Sequence, residues 1–232
     1  MNDKEFKEEL SKLGIVLTST QEKQLEMYYN LLIEWNNKIN LTSITEKEDV
    51  EIKHFIDSLT SYNLIEDNSL ICDIGAGAGF PSIPLAIVKP NCKFVLIDSL
   101  NKRINFLNEL IDKLNLKNCV CLHSRVEDYA KKNLNKFDYC IARAVAALPT
   151  LLEYTIPLLK VKGSLIAYKG SNYQEEIDIS NNALNKLNSK IISKNELTLP
   201  NNDKRCLLQI IKNNNCLNIY PRSGNKPRLN PL

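Results

Sequence analysis

Apolar residues recur at helical intervals in the first part of the chain: Phe6, Leu10 and Leu13, then Leu25, Tyr28, Leu31, Leu32 and Trp35. This spacing predicts two amphipathic helices between Asp3 and about Asn36. Thr18 followed by Gln21 has the form of a capping box, a better match than Thr20 with Lys23. A third helix is expected over 49–61, with Val50, Ile52, Phe55, Ile56 and Leu59 on one side. After Asn68 the texture changes to short apolar runs alternating with longer helical patterns, the signature of βαβ units on a parallel sheet. Strands are predicted over 70–74, 93–98, 119–123, 138–142 and 164–169, with two more near 191–198 and 206–211. Helices are predicted over 81–88, 101–114, 148–159 and 174–187. The tail 213–232 contains Pro221, Gly224, Pro227 and Pro231 and is expected to be irregular. The expected organisation is a helical section over 1–66 packed on an α/β core over 67–212, followed by a basic tail over 213–232.

Composition narrows the class. The 232 residues are 44% hydrophobic and 25% charged, close to ordinary globular usage, which sets aside wholesale disorder and fibrous or disulfide-scaffold proteins. The net charge of +3 is unevenly spread: residues 1–66 carry 13 Asp/Glu against 7 Lys, and the remainder 14 against 23 Lys/Arg. The basic part can face a polyanion, although most surface lysines only solvate. The apolar stretch 70–88 contains Asp73, three glycines and two prolines, so a strand, a tight loop and a helix explain it better than a membrane span. Seven cysteines and an opening without a charged-then-apolar leader fit a reducing cytoplasm. His54 and His123 lie far apart and there is no CxxC, so no metal site is expected.

Three of only seven glycines sit together in Asp73-Ile74-Gly75-Ala76-Gly77-Ala78-Gly79-Phe80-Pro81, after the first predicted strand and before a helix. Glycine permits positive φ and close approach of a ligand to the main chain, and Pro81 pre-sets φ for a first helical turn. In a doubly wound sheet such a loop lines the crevice where strand order reverses. The pattern is G-x-G-x-G rather than the dinucleotide G-x-G-x-x-G. Asp98 ends the second strand about twenty residues beyond the loop, where its carboxylate can accept from both hydroxyls of a ribose or cap the next helix. An adenosine-type ligand is expected.

Several runs resemble one known family: 71–81 around the glycine loop, Asp98-Ser99-Leu100-Asn101-Lys102-Arg103-Ile104-Asn105-Phe106-Leu107, Ser124-Arg125-Val126-Glu127 and Ala142-Arg143-Ala144-Val145-Ala146. Trp35-Asn36-Asn37-Lys38-Ile39-Asn40-Leu41-Thr42, His54-Phe55-Ile56-Asp57-Ser58-Leu59 and Tyr220-Pro221-Arg222 are similar to it too. The chain resembles the glucose-inhibited division protein B family over nearly its whole length. The resemblance implies an S-adenosylmethionine-dependent 16S ribosomal RNA guanine-N7 methyltransferase. It implies a class I methyltransferase fold, a Rossmann-like, mostly parallel seven-stranded sheet with the last strand antiparallel. It places the target guanine in the decoding-centre loop of 16S rRNA, presented as naked RNA or in a small ribosomal subunit particle, and a monomeric enzyme is expected.

The resemblance assigns Gly75 and Phe80 to the cofactor loop, Val126 and Glu127 to the neighbourhood of the adenine, and Arg143 to the rim of the methyl-donor pocket; the loop and strand-end reading adds Gly77 and Asp98 as cofactor-binding candidates. Val126 can offer an apolar wall and a backbone N–H, and Glu127 can accept from the adenine amino group or simply start a helix. Arg143, at a strand end, can clamp a cofactor carboxylate, a phosphate or guanine O6, or make a surface ion pair. Guanine N7 carries its lone pair unprotonated at neutral pH, so no catalytic side chain is expected, and proximity and orientation carry the rate. The absence of an Asn-Pro-Pro-Tyr motif after the fourth strand and of Pro-Cys agrees with a ring-nitrogen acceptor. Candidate RNA contacts are Lys102, Arg103, Lys169, Arg205, Arg222 and Arg228. A short-chain reductase is disfavoured because no Tyr has Lys four residues later. A non-catalytic RNA-binding or assembly module on the same fold is the other alternative.

Overall fold

The computed structural model describes residues 2–232. Helix α1 (Asp3–Lys12) is capped reciprocally by Asn2 and Glu5, and α2 (Ser19–Ile39) by the predicted pair Thr18 and Gln21. In the latter the Gln21 N–H donates to Thr18 Oγ1 at 3.3 Å and the Thr18 N–H to Gln21 Oε1 at 2.9 Å, each satisfying a donor that the helix leaves unpaired.

The third helical run departs from the expected one-sided pattern. It starts as α3 (Lys47–Val50), opens into a π-helical stretch over Glu51–Ile56 and closes as α4 (Asp57–Leu59). Val50, Ile52, Phe55, Ile56 and Leu59 are buried as expected, but so are Glu51, His54, Asp57 and Ser58. The run is therefore enclosed on two sides, with its apolar residues in the core and His54 and Asp57 against the sheet. The periodicity of apolar residues reports only the first of these.

The α/β part follows as β1 (Leu70–Ile74), α5 (Ser82–Val88), β2 (Lys93–Asp98), α6 (Asn101–Lys113), β3 (Cys119–His123), α7 (Val126–Lys132), β4 (Phe137–Arg143) and α8 (Leu148–Thr155). It continues through β5 (Leu159–Lys169), α9 (Tyr173–Asp178), α10 (Asn181–Lys186), β6 (Ser189–Thr198), β7 (Lys204–Lys212) and α11 (Lys226–Leu229). Three differences from expectation stand out. Helix α7 is additional, the helix expected over 174–187 is two short ones, and β5 begins at Leu159, inside the helix expected over 148–159. The tail is mostly irregular but holds α11, with Tyr220, Pro221 and Pro227 buried.

The sheet order is β3-β2-β1-β4-β5-β7-β6, with β7 antiparallel to both its neighbours and the other pairings parallel. Order reverses between β1 and β4, so the loops after these strands bound a crevice at their carboxyl ends. Alternate strand residues serve opposite faces. Ile71, Phe94, Leu96, Ile141 and Ile166 join one core together with Leu10, Leu25, Tyr28, Leu32, Phe55 and Leu59 of the N-terminal helices. Cys72, Ile74, Ile97, Cys140 and Ala142 join the other with Leu148, Leu151 and Leu152 of α8. The N-terminal helices thus share the sheet's own core. Among the described residues no helix is long and apolar enough to cross a membrane.

Candidate active site

The glycine loop occupies the reversal point between β1 and α5. Gly75, Gly77 and Gly79 all have positive φ, at 67°, 59° and 94°. At Gly75 an added Cβ would lie 2.9 Å from Val145 Cγ2, so the loop after β4 rests directly on the loop after β1. At Gly79 it would lie 2.8 Å from both Ile83 Cγ1 and the Tyr28 hydroxyl, so α2 packs onto the same loop. The loop's own N–H groups are already engaged: Gly75 and Ala76 donate to the Ile97 carbonyl at 2.8 and 3.0 Å, and Gly77 donates to Asp98 Oδ2 at 2.9 Å. A ligand therefore gains closeness from the missing side chains more than hydrogen bonds from these amides. Helix α5 starts at Ser82, with Pro81 as its N-cap residue rather than its first helical one.

Asp98 ties the entrance of α6 to the glycine loop. Oδ1 accepts from the Leu100 N–H at 2.9 Å at the entrance to α6, and Oδ2 accepts from Gly77 and from Arg103 Nη1 at 3.3 Å. A carboxylate offers about four lone-pair positions. Three are taken, which leaves room for one hydroxyl of a sugar rather than the expected two unless the half-exposed Arg103 withdraws.

Asp73, at the end of β1, was not singled out among the expected site residues. Its side chain is buried at 1% exposure; Oδ2 accepts from Ser82 Oγ at 2.6 Å, and Oδ1 has no hydrogen-bond partner. Burial, only partly offset by the Ser82 bond and Arg143, pushes its pKa up to about 8. An orphaned buried carboxyl oxygen beside a bare main-chain loop suits a ligand that brings its own N–H donors or positive charge. The signal in the sequence was its place as the last acid before the glycines.

Phe80 lies in the loop, but its ring turns away into the N-terminal helices. It stacks on Tyr28 at 5.1 Å and 18° and on His54 at 4.4 Å and 16°, with the Arg143 guanidinium 5.1 Å from its centroid. Val126 and Glu127 open α7, with Val126 partly buried against the second core and Glu127 buried. The Glu127 carboxylate faces Tyr154, whose phenol is raised to about 12 first by burial and then by that charge. Neither the solvated helix start nor a freely exposed acceptor describes Glu127.

Arg143 ends β4 in a buried ion pair rather than a surface one. Nη1 donates to Asp57 Oδ2 at 2.8 Å and to the Lys53 carbonyl at 2.9 Å, while Nη2 lies 3.1 Å from His54 Nδ1. Arginine has only donors, so His54 Nδ1 accepts and Nε2 carries the hydrogen toward Thr42 Oγ1 at 2.9 Å. Burial and the Arg143 charge drive the His54 pKa down to about 3. The residue after Arg143, Ala144, holds a positive φ of 56°, a strained conformation for a residue with Cβ. Next to it opens a cavity of about 930 Å³, lined by Lys53, His54, Asp57, Arg143 through Ala147, Tyr168, Lys169 and Arg205 among others.

The expected basic contacts separate into two groups. Arg103 pairs with Asp98, Lys169 with Glu176 at 2.7 Å, Arg205 with Asp57 at 3.2 Å, and Arg222 with the fully buried Glu153 at 2.7 Å. Lys102 and Arg228 are exposed, Arg228 reaching the Val145 carbonyl at 3.5 Å.

Comparison with known proteins places this arrangement. Residues 21–203 match the model of the GidB family, rRNA small subunit methyltransferase G. The chain is 45% identical over 237 residues to the ribosomal RNA small subunit methyltransferase G of Lactococcus lactis, covering 100% of both chains. It is 47% identical over 238 residues to the protein of the same name from Streptococcus gordonii, again over 100% of both. Among solved structures it is similar to M. jannaschii TYW2 in complex with AdoMet, with a TM-score of 0.58 and 17% identity over 73% of this chain and 79% of that one. It is also similar to a SAM-dependent methyltransferase from Aquifex aeolicus, with a TM-score of 0.55 and 17% identity over 74% and 97%. These two likenesses show the fold, a class I methyltransferase sheet. Full-length identity near one residue in two, together with the family match, carries more: the chain belongs to the rRNA small subunit methyltransferase G family.

Proposed function

We propose that the protein transfers a methyl group from S-adenosylmethionine to N7 of a guanine in the decoding-centre loop of 16S rRNA. The observation that carries this reading is the bare glycine loop at the strand-order reversal, with Asp98 at its edge and the orphaned Asp73 oxygen beside it, in a chain of this family. The fit is chemical: the ligand has ribose hydroxyls for the remaining acceptor position of Asp98 and a cationic amino group for the unpartnered Oδ1 of Asp73. Gly75, Gly77 and the Phe80 main chain would hold it on the loop, Val126 would wall its base, and Glu127 would border that end. Arg143 would stand where donor and acceptor meet. Bound there, S-adenosylmethionine supplies a methyl group activated by its sulfonium.

The chain's own residues then have to bind, orient and exclude water. N7 presents its lone pair without losing a proton, and the site is poor in bases. His54 is held neutral with its Nδ1 lone pair given to Arg143. Orientation of the acceptor in line with the donor is worth roughly 7–11 kcal/mol of barrier. The acceptor must arrive unpaired, from a loop of 16S rRNA or of the small ribosomal subunit particle, and Lys102 and Arg228 are the exposed cations suited to its phosphates. In this reading residues 1–66 cover the methyltransferase core of 67–212, the tail 213–232 lies beside the β4 loop, and the enzyme acts as a cytoplasmic monomer without a metal. The seven unpaired thiols support a reducing compartment.

The test is to map N7-methylguanine in 16S rRNA from cells with and without the gene. Loss of one such base from the decoding-centre loop supports the reading; an unchanged modification pattern contradicts it and favours a non-catalytic RNA-binding module.

A further inference from the structure

Asp57 is a carboxylate at 2% exposure that divides its two oxygens between two arginines from different strands. Oδ2 accepts from Arg143 Nη1 at 2.8 Å, at the end of β4, and Oδ1 accepts from Arg205 Nε at 3.2 Å, near the start of β7. All three side chains line the 930 Å³ cavity. The carboxylate itself comes from neither strand but from the N-terminal helices, at the first residue after the π-helical stretch. Its backbone is fixed from the sheet side as well, because the Tyr168 hydroxyl of β5 donates to the Ser58 carbonyl at 2.6 Å and lies 2.6 Å from Ser61 Oγ.

A buried ion pair is weak evidence for stability, because taking the charges out of water costs about as much as their attraction returns. Three buried or half-buried charges at a cavity wall therefore call for another reason. The geometry supplies one. With Nη1 on Asp57 and the Lys53 carbonyl, Nη2 on His54 and the plane over Phe80, Arg143 has one orientation available. Arg205 is held by its Nε, with Nη1 on the Lys204 carbonyl at 3.0 Å and Nη2 3.6 Å from Asp203 Oδ2. A π-helical stretch just before Asp57 is the kind of irregularity that recurs at functional sites, and here it coincides with His54 and Asp57 both facing the sheet.

We propose that Asp57 is a positioning residue for methyl transfer: by bridging Arg143 and Arg205 it sets both guanidinium groups against the acceptor nucleotide in the cavity. The inference rests on the proposed function, in which Arg143 stands where donor and acceptor meet, and takes the cavity that Arg143 lines as the place where the RNA acceptor enters. Asp57 touches no substrate and acts only through the two arginines. An amide at this position would keep the shape and one acceptor but turn an N–H donor toward an arginine donor, so one of the two guanidinium groups would swing away.

The test compares wild type, Asp57→Asn and Asp57→Glu in single-turnover and steady-state methylation of 16S rRNA, together with the Kd for S-adenosylmethionine by calorimetry and thermal unfolding. Misplacement by about an ångström costs up to ~100-fold, so Asp57→Asn should lower kcat by about 10-fold to 100-fold, with the cofactor Kd within about twofold of wild type. Asp57→Glu, keeping the charge, should recover at least part of kcat. A merely structural role would instead change cofactor affinity and unfolding temperature together and leave kcat of the folded fraction intact, which would overturn the proposal, as would wild-type kcat in Asp57→Asn. If Asp57→Asn does not fold, Arg205→Lys decides. Wild-type kcat in Arg205→Lys contradicts positioning, and reduced kcat at unchanged cofactor Kd supports it. A wild-type protein that methylates no rRNA at all sinks the underlying reading rather than the role of Asp57.

Discussion

The Tyr28 hydroxyl donates to the Ala78 carbonyl at 2.6 Å, joining the middle of α2 to the glycine loop fifty residues later in the chain. The ring is fully buried between Phe55 and Phe80, and burial raises the phenol well above its usual pKa, so it stays a donor across the working pH range. The N-terminal helices thereby hold the glycine loop as well as covering the core. Tyr28→Phe removes the donor and leaves a carbonyl without its partner, which costs about 1–3 kcal/mol. Urea unfolding should show that loss, and calorimetry should show weaker binding of S-adenosylmethionine. Unchanged stability and affinity would mean that the loop keeps its shape without α2.

Gly75→Ala meets two separate obstacles: a positive φ, worth roughly 1–2 kcal/mol of strain for a residue with Cβ, and a clash at 2.9 Å with Val145 Cγ2. The variant should fold with a lowered Tm and bind S-adenosylmethionine at least about tenfold more weakly, since the tenfold corresponds to ~1.4 kcal/mol. Adding Val145→Ala removes the clash but not the backbone strain, so the double variant should recover affinity only in part. Full recovery would show that the glycine is needed for space alone.

Asp73 gives a pH signature with a definite sign. Its carboxyl is neutral in the fold up to about pH 8 but ionises near pH ~4 in an unfolded chain. Between those values the folded state holds the extra proton, so the contribution of this group to stability is full at low pH and is lost as pH rises through about 8. His54 has the opposite sign: with its folded pKa near 3, its contribution is present above about 6.5 and is lost as pH falls toward 3. Urea unfolding of the ligand-free protein should show stability falling between pH 6.5 and about 8 and levelling off above it, and Asp73→Asn should flatten that slope. An identical slope in the variant would place the titration elsewhere.

Arg222 and Lys102 separate architecture from RNA contact. Arg222 donates through Nε and Nη2 to Glu153, at 2.9 and 2.7 Å, and its main-chain N–H donates to the same carboxylate at 2.8 Å. Arg222→Ala strands a buried carboxylate and should cost about 3 kcal/mol, within the range for breaking a buried pair. Lys102→Ala is expected to leave stability unchanged and to reduce the salt dependence of RNA binding by about one ion, in log–log slope. Filter binding at several salt concentrations and thermal unfolding check both. A stability loss at Lys102, or a pure RNA defect at Arg222, would reverse the assignment.

Much of this architecture can be read from residue patterns. The parallel strands were legible as apolar runs, and the crevice as three glycines after the first of them with an acid at the end of the second. What was not legible depends on partners. Apolar periodicity shows that the Val50-to-Leu59 face is buried, but it cannot show that His54 and Asp57 on the other side meet Arg143 and Arg205, 89 and 148 residues away. Phe80 belongs to the loop by sequence, yet its ring joins the Tyr28 and His54 stack, partners 52 and 26 residues away that no local pattern names. Arg222 looks like a free cation in a basic tail until Glu153, buried in α8, is placed beside it.

The most direct test uses purified protein, S-adenosylmethionine with a labelled methyl group, and small ribosomal subunits from cells lacking the gene. The nucleosides of the recovered 16S rRNA are then separated by mass spectrometry. The account predicts one labelled N7-methylguanine per particle, confined to the decoding-centre loop and absent with Gly75→Asp. Label on another base or another atom of guanine, or no label from a protein that binds the methyl donor, would contradict it.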